Sequence, residues 1–168
     1  SVQEMDTLAE QIGEKTLLQN TYDRVRRGFG EADVYLSTNS SLRDGILAQL
    51  PNFPERRLLL EPQKKDTAAA IGYAAAMIAR EDSNAIFVTV NSDAHIANEE
   101  EYLRVLGLAE RVVAERPDHT VLVGVNPTYP ETGYGYIEMG REVMQVDGAR
   151  VFEAKRFVEK PNAEKGAL

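Results

Sequence analysis

The segment FVTVNSDAH, residues 87–95, ends an apolar run in side chains that could do chemistry. Its carboxylate, Asp93, follows AIFVTV, which has the composition of a strand buried on both faces. Ligands of open parallel sheets bind beyond the carboxyl ends of the strands, where Mg²⁺ often joins one or two carboxylates to phosphate oxygens. Asp93 is therefore a candidate metal ligand. The alternative, a residue that starts a turn or caps a short helix, fits the local pattern equally well. We interpret His95 as a loop or core residue and not as a ligand.

A second candidate segment, EPQKKDTAAA, covers residues 61–70. Glu61 closes an apolar run, and Asp66 is a plausible N-cap for the alanine-rich helical pattern that follows. A helix N-terminus with small residues lets a ligand approach the backbone N–H groups. Read by itself, the segment is explained as well by an ordinary capped helix with a solvated lysine pair.

Two further segments in the C-terminal third carry polar groups that could contact a ligand. GYGYIE, residues 133–138, places glycines around aromatic side chains just before Glu138, and a glutamate can accept hydrogen bonds from sugar hydroxyls. EKP, residues 159–161, follows a strand-like run, and its Lys160 is a common type of point-charge partner for phosphate. The alternatives are a simple hairpin for the first segment and a surface charge pair for the second.

These segments lie within an alternation of strand and helix patterns, which predicts an α/β fold with a mostly parallel sheet flanked by helices. The predicted strands are residues 33–38, 57–60, 85–90 and 120–125. The first two helical patterns have apolar faces at Leu18, Tyr22, Val25 and at Leu42, Ile46, Leu50. The third covers 67–80, and the fourth starts at the glutamates 99–101, carries Tyr102, Leu106, Ala109 and Val113 on one face, and stops before Pro117.

The C-terminal third changes from this alternation to shorter runs separated by turns. Turn residues around Gly140 and at Asp147-Gly148 predict an antiparallel ribbon beside the parallel sheet. With 168 residues the chain has the length of one domain, so we expect a single domain over residues 1–168.

Composition excludes several classes of protein. The sequence has no cysteine, which excludes disulfides and thiolate chemistry, and no apolar run approaches the ~18 residues of a membrane span. A net charge of −8 argues against a nucleic-acid partner, because phosphate backbones are held by basic surfaces. The N-terminus does not have the pattern of a signal peptide, so we expect a cytoplasmic protein.

Five segments in this order resemble the mannose-1-phosphate guanylyltransferases, also called GDP-mannose pyrophosphorylases, of the sugar nucleotidyltransferase superfamily. They are GEKTLLQNTYDRV, EPQKKDTAAAIGYAA, FVTVNSDAHI, TGYGYIEMG and RFVEKPN, and they extend over residues 13–162. The resemblance implies a Rossmann-like nucleotide-binding α/β domain. It also implies transfer of a guanylyl group from GTP to mannose 1-phosphate, with Mg²⁺ as cofactor, giving GDP-mannose and pyrophosphate. It leaves open whether the protein forms a homo-oligomer.

The resemblance also implies a role for particular residues. Asp93 corresponds to the metal-binding aspartate, and Lys160 to the lysine that holds the sugar phosphate. Glu138 and Glu159 correspond to carboxylates that bind mannose hydroxyls, with the backbone of Gly135 beside them. On the nucleotide side, the corresponding residues are Glu61, Thr67 and Ala68.

The sequence departs from the family pattern in three respects: the N-terminal segment, two of the motifs, and the C-terminal end. A glycine-rich signature precedes GEKTLLQ in the family, whereas the sequence that precedes it here is SVQEMDTLAEQI. The family shows Asn-Thr-Ala-Pro-Ala and Leu-Pro-Ser-Asp-His where this chain has DTAAA and VNSDAH, and the chain stops at Leu168, before a further metal-binding aspartate of the relatives. We expect a piece of a longer enzyme; the alternatives are a non-catalytic nucleotide-sugar-binding or regulatory relative, a pyrophosphorylase for another sugar 1-phosphate and nucleotide, and an unrelated α/β binding domain.

Overall fold

A computed structural model describes residues 11–63, 66–129 and 134–159. The chain divides into two compact units, with the boundary between Leu103 and Arg104. Each unit has a hydrophobic core of its own. The single domain expected over residues 1–168 stays a prediction, because lobes of one domain can also have separate cores.

The first unit begins with a short hairpin and a capped helix. Strands β1 (Gln11–Ile12) and β2 (Lys15–Thr16) pair antiparallel and lead into helix α1, Leu17–Phe29. The Thr16 hydroxyl accepts a hydrogen bond from the backbone N–H of Gln19 at 3.2 Å, and the Gln19 side chain accepts one from the backbone N–H of Thr16 at 3.0 Å. This capping box satisfies N–H groups that would otherwise lack partners at the start of the helix.

A parallel strand pair follows α1. Strands β3 (Leu36–Asn39) and β4 (Leu58–Glu61) pair in register from Leu36 opposite Leu58 to Asn39 opposite Glu61. The connection contains helix α2, Arg43–Gln49, and a single 3₁₀ turn at Glu55–Arg57; another 3₁₀ turn, Glu31–Asp33, precedes β3. The two predicted strands are therefore confirmed with shifted bounds: residue 33 lies in the 3₁₀ turn, and both strands extend one residue further.

The apolar face of α1 forms the core of the first unit. Tyr22 lies edge-on to Phe53, with ring centres 5.5 Å apart, and Val90 packs at the margin of the cluster. The buried side chains of this core are Leu18, Tyr22, Val25, Val34, Ile46, Leu50, Phe53 and Leu58. The predicted inner faces of the first two helices are thus confirmed, with Leu42 at the edge of the cluster.

Two longer helices complete the helical pattern. Helix α3 covers Asp66–Glu81, and α4 covers Glu99–Glu115, ending before Pro117 as predicted. The buried residues of α4 are Leu106, Leu108 and Val112, whereas Tyr102, Ala109 and Val113 are half-buried. The single predicted face of α4 was thus only partly right, because Leu108 and Val112 pack against the C-terminal hairpin, a contact that periodicity does not contain.

The predicted strands at residues 85–90 and 120–125 are wrong in this structure. Neither segment forms a strand, and most of their apolar side chains are exposed, from 40% at Phe87 to 92% at Val125, whereas Val90 and Val121 pack at the margins of the two cores. An apolar extended run becomes a strand only when a neighbouring strand supplies partners for its N–H and C=O groups. In the described ranges, β3 and β4 pair with each other alone.

The second unit contains the predicted antiparallel ribbon with its turn at Asp147-Gly148, whereas the turn predicted around Gly140 is wrong, because Gly140 lies within a strand. Strands β5 (Gly135–Val146) and β6 (Ala149–Glu159) pair along their length with irregularities around Gly140, where a Cβ would lie 3.2 Å from that of Glu153. The two-residue turn has positive φ at Asp147 (48°) and Gly148 (78°), as a type I′ hairpin requires. Val146 packs with Leu108 and Val112 in the core of this unit. In the part of the chain that the structure covers, no helix is both long and apolar enough to cross a membrane.

The capping box gives a first prediction. Thr16→Ala should lower the free energy of unfolding by about 1 kcal/mol, since it removes the N-cap acceptor, and it also removes the hydrogen bond from the Thr16 hydroxyl to the side chain of Gln49 at 2.7 Å. Urea denaturation at neutral pH measures the change. Thr16→Ser keeps the hydroxyl and is the matched control; equal losses in the two variants would contradict the capping role.

The hairpin turn gives a second prediction, on pH. Asp147 accepts hydrogen bonds from Arg111 of α4, one of them at 3.0 Å, and this contact lowers the pKa of Asp147 below its usual value. A lowered folded-state pKa stabilises the fold above the unfolded pKa of about 3.8, and the stabilisation disappears as pH falls through the folded value. Asp147→Asn, which tolerates the positive φ, should therefore lower the urea midpoint at pH 7.

The stabilisation by the ion pair of Asp147 with Arg111 should disappear in strong acid. The midpoints of the wild type and Asp147→Asn should converge as the pH falls below about 3.8. In an Arg111→Met background, Asp147→Asn should change the midpoint little even at pH 7, because the partner is already absent. A difference that persists unchanged at low pH, or in that background, would contradict the ion pair as its source.

Candidate functional site

One candidate residue lies where the parallel strands β3 and β4 end. Glu61 is the last residue of β4 and lies opposite Asn39, the last residue of β3. Its half-buried side chain accepts a hydrogen bond from the hydroxyl of Ser37 at 3.3 Å. The edge of this strand pair is thus polar, as expected where ligands of parallel sheets bind.

The beginning of α3 follows this edge closely in the chain. The helix starts at Asp66, whose side chain lies outside the described part of the structure. Thr67 and Ala68 lie exposed in the first turn. The first N–H groups of a helix have no partners within it and carry its positive dipole end, so this turn can accept an anionic group.

Asp93 lies in a loop that the first unit holds by its backbone. Val90 packs against the core, and Asp93, three residues further on, has an exposed side chain, as does His95. The Asp93 carboxylate forms no hydrogen bond or ion pair with another residue of the described ranges. Its carboxylate is therefore open to an external partner.

The backbone around Asp93 is anchored on both sides by α1. Thr21 donates from its hydroxyl to the carbonyl of Ser92 at 3.3 Å, and Arg24 donates to the carbonyl of Ala94 at 3.4 Å. Arg24 also donates to the Thr21 hydroxyl at 2.9 Å and is only 2% exposed. Sequence patterns did not identify Arg24 or Thr21 as site residues; the available signal was an arginine adjoining the apolar face of an amphipathic helix.

The side chains that could donate to a metal limit which metal could bind. No group of three or more His, Asp or Glu side chains suited to a metal occurs in residues 11–63, 66–129 and 134–159. A protein-only metal cage is therefore not formed by them. A single exposed carboxylate fits Mg²⁺, which usually keeps several waters and completes its shell with substrate phosphates.

The second unit places Glu138 in a cluster of charges on the hairpin. Glu138 in β5 lies opposite Arg156 in β6 and accepts hydrogen bonds from Lys155 and from Arg156, the latter at 2.9 Å. The hydrogen bonds from Lys155 and Arg156 hold the pKa of Glu138 below its usual value. The carboxylate therefore stays ionised at neutral pH, and its negative charge is balanced by two neighbouring cations.

The remaining candidates of the second unit lie at the open end of the hairpin. Gly135 is exposed and pairs through its backbone with Glu159, the last residue of β6. The side chain of Glu159 and the whole of Lys160 lie outside the described residues. Glu61, Thr67, Ala68 and Asp93 belong to the first unit, and Gly135 and Glu138 to the second.

Comparison with known proteins identifies the family of the chain. The profile of the family described as nucleotidyl transferase matches residues 6–167. A mannose-1-phosphate guanylyltransferase of Sinorhizobium fredii is 35% identical in an alignment 163 positions long, which covers 93% of this chain and 30% of that protein. Its Escherichia coli counterpart is 32% identical over 92% of this chain and 32% of its own length.

An alginate biosynthesis protein, AlgA of Pseudomonas fluorescens, is similar to the same extent. It is 34% identical over 91% of this chain and 31% of its own length. The chain thus spans about a third of the length of these curated relatives. Because the family profile covers nearly the whole sequence, the Rossmann-like α/β fold expected from the motifs is confirmed, and the chain belongs to the nucleotidyl transferase family.

Proposed function

We propose that the protein containing this chain transfers the guanylyl group of GTP to mannose 1-phosphate. The observation that carries the proposal is the match of nearly the whole chain to the nucleotidyl transferase family, together with relatives named mannose-1-phosphate guanylyltransferase. A phosphate oxygen of mannose 1-phosphate attacks the α-phosphorus of GTP, and the bond from that phosphorus to the β-phosphate oxygen breaks. The products are GDP-mannose and pyrophosphate.

Positioning and charge neutralisation carry such a reaction. Attacking and leaving oxygens must lie in line, and both substrates are anionic, so mutual repulsion opposes their approach. The net charge of the chain, −8, adds to this repulsion. Local positive groups must therefore offset it at the site.

On the nucleotide side, we assign binding to Glu61, Thr67 and Ala68. The exposed first turn of α3 offers backbone N–H groups to phosphate or to the base, and Thr67 and Ala68 leave the backbone accessible. Glu61, at the polar edge of the strand pair, is an acceptor for N–H or O–H groups of the nucleoside.

Asp93 is the proposed ligand of Mg²⁺. Bound Mg²⁺ would neutralise phosphate charge and hold the nucleotide phosphates in position. The exposed carboxylate of Asp93, carried on a loop anchored at Ser92 and Ala94, is oriented by the backbone and free to accept a ligand.

On the sugar side, we assign Gly135, Glu138, Glu159 and Lys160. Glu138 keeps acceptor positions beyond those used by Lys155 and Arg156, since a carboxylate has about four. Gly135 leaves the backbone open to close approach, and Lys160 supplies a positive charge for the sugar phosphate. The preference for guanine and mannose is proposed from the names of the relatives alone.

A panel of pyrophosphate-release assays on the full-length gene product tests the reaction. GTP, ATP, UTP and CTP are each combined with mannose 1-phosphate and glucose 1-phosphate, with and without Mg²⁺. The proposal expects the highest kcat/KM for GTP with mannose 1-phosphate, and no release without metal. Higher kcat/KM for another pair would reassign the substrates, and binding of GDP-mannose without turnover by any pair would favour a regulatory relative.

The role of Asp93 gives a third prediction. In the full-length protein, Asp93→Ala should lower kcat about a hundredfold or more, because it removes transition-state charge stabilisation. His95→Ala, two residues along the same exposed loop, is the matched control and should stay close to the wild type. Pyrophosphate release by Asp93→Ala at the wild-type rate would remove Asp93 from the mechanism.

The role of Lys160 gives a fourth prediction. Lys160→Met should raise the KM for mannose 1-phosphate by roughly tenfold or more, because a charge-assisted contact to phosphate is lost. The KM for GTP should change little and serves as the internal control. Equal increases in both KM values, or none in that for mannose 1-phosphate, would count against the assignment.

A further inference from the structure

The fully buried cation of the first unit lies directly beneath the loop that carries Asp93. Arg24 in α1 is 2% exposed, whereas arginines are rarely buried to this extent without strong compensation. Its contacts are the Thr21 hydroxyl, the carbonyl of Ala94, and the Glu99 carboxylate at 3.5 Å. Its guanidinium carbon also lies 5.3 Å from the ring centre of Tyr102.

These contacts do not fully compensate the hydrogen-bond donors and the charge of the buried guanidinium. The Nε–H of Arg24 has no hydrogen-bond partner among the described residues. Glu99, its carboxylate partner, is shared with the exposed Arg27. Packing alone would be served as well by an apolar side chain of similar volume, which is often neutral or stabilising in place of a buried charge. The charge at this position therefore calls for another explanation.

The positions of the Arg24 contacts explain why a charged residue is buried here. Arg24 binds the carbonyl of Ala94 directly and reaches the carbonyl of Ser92 through Thr21. These two carbonyls belong to the residues immediately before and after Asp93. Because the Asp93 side chain is exposed, the position of its carboxylate depends on the backbone on either side of it.

Glu99 extends the same connection along the chain. It is the first residue of α4, so the guanidinium joins the loop at Ala94 to the start of the next helix. The segment between them, residues 95–98, is thus tied down at both ends by one side chain. An arginine can do this because its planar group directs several N–H donors in fixed directions.

We propose that Arg24 is a positioning residue for Asp93: with Thr21, it holds the carbonyls on both sides of Asp93 and so fixes where the carboxylate meets a metal-bound nucleotide. This inference rests on the proposed function of Asp93. Metal sites depend on such outer contacts, whose loss typically costs roughly 10–100-fold in metal affinity or activity.

The first test measures the loop itself, without substrate or metal. Amide hydrogen exchange is followed by mass spectrometry in the full-length protein, comparing residues 91–98 with β3 and β4. Arg24→Met should speed exchange in residues 91–98 while β3 and β4 stay protected. Arg27→Met, which removes the other cation on Glu99 but touches neither loop carbonyl, is the matched control and should behave as the wild type.

Two further variants keep this test decisive if Arg24→Met folds poorly. Thr21→Val removes only the hydroxyl that reaches Ser92 and should produce a smaller increase confined to the same segment. Arg24→Lys keeps the charge and loses the planar group, so it should fall between Arg24→Met and the wild type. Unchanged exchange in residues 91–98, or an increase spread equally over β3 and β4, would overturn the proposal.

The second test is kinetic and links Arg24 to Asp93. Arg24→Met should lower kcat roughly 10–100-fold and raise the Mg²⁺ concentration for half-maximal rate, with little change in the KM for mannose 1-phosphate. In an Asp93→Asn background, Arg24→Met should add less than about a twofold further loss, because residues that act through one another are not additive.

The two proposals fail in different ways. If Asp93→Asn retains wild-type activity, the proposed function of Asp93 is wrong, while the exchange experiment still decides whether Arg24 anchors the loop. If Asp93→Asn is impaired and Arg24→Met multiplies the loss in full, Arg24 does not act through Asp93. That outcome overturns the inference and leaves the role of Asp93 intact.

Discussion

Helix α1 is the element on which the first unit depends, because burial of its apolar face joins the strand pair to the surrounding helices. A helix of 13 residues is marginal by itself in water, so it forms here because tertiary contacts stabilise it. Its Leu18, Tyr22 and Val25 are buried in the core, and a buried leucine or valine contributes roughly 1.5–3 kcal/mol of transfer free energy. The capping box at Thr16 sets where the helix begins and links it to Gln49 at the end of α2.

The same helix connects stability to the proposed chemistry. One turn presents Tyr22 and Val25 to the core, and the same turn presents Thr21 and Arg24 to the loop around Asp93. The core therefore holds the helix in place, and the helix holds the loop. The exposed Asp93 carboxylate has no hydrogen bond or ion pair with the residues that the structure describes, so it is free for an external ligand.

The order and type of most elements could be predicted from the sequence. Periodicity identified the inner faces of α1 and α2, and the Asp147-Gly148 turn followed from backbone preferences at two adjacent residues. The segments at 85–90 and 120–125 have strand composition but form no strand, since pairing depends on partners distant in the chain. For the same reason, the contact of Leu108 and Val112 with the hairpin was missed. Asp93 was identified from its place after an apolar run, and its role stays a prediction.

The sequence alone determined properties that depend on residues near each other in the chain. These are the helical and hairpin segments, the absence of cysteine chemistry, the acidic charge, and the motifs that match the nucleotidyl transferase family. The tertiary structure decided which groups meet across long separations. It placed Arg24 and Thr21 against the carbonyls beside Asp93, about 70 residues away, and balanced Glu138 with Lys155 and Arg156 on the facing strand. Hydrogen bonds and ion pairs act over a few ångströms, so their partners are set by how the chain folds back on itself and not by local sequence.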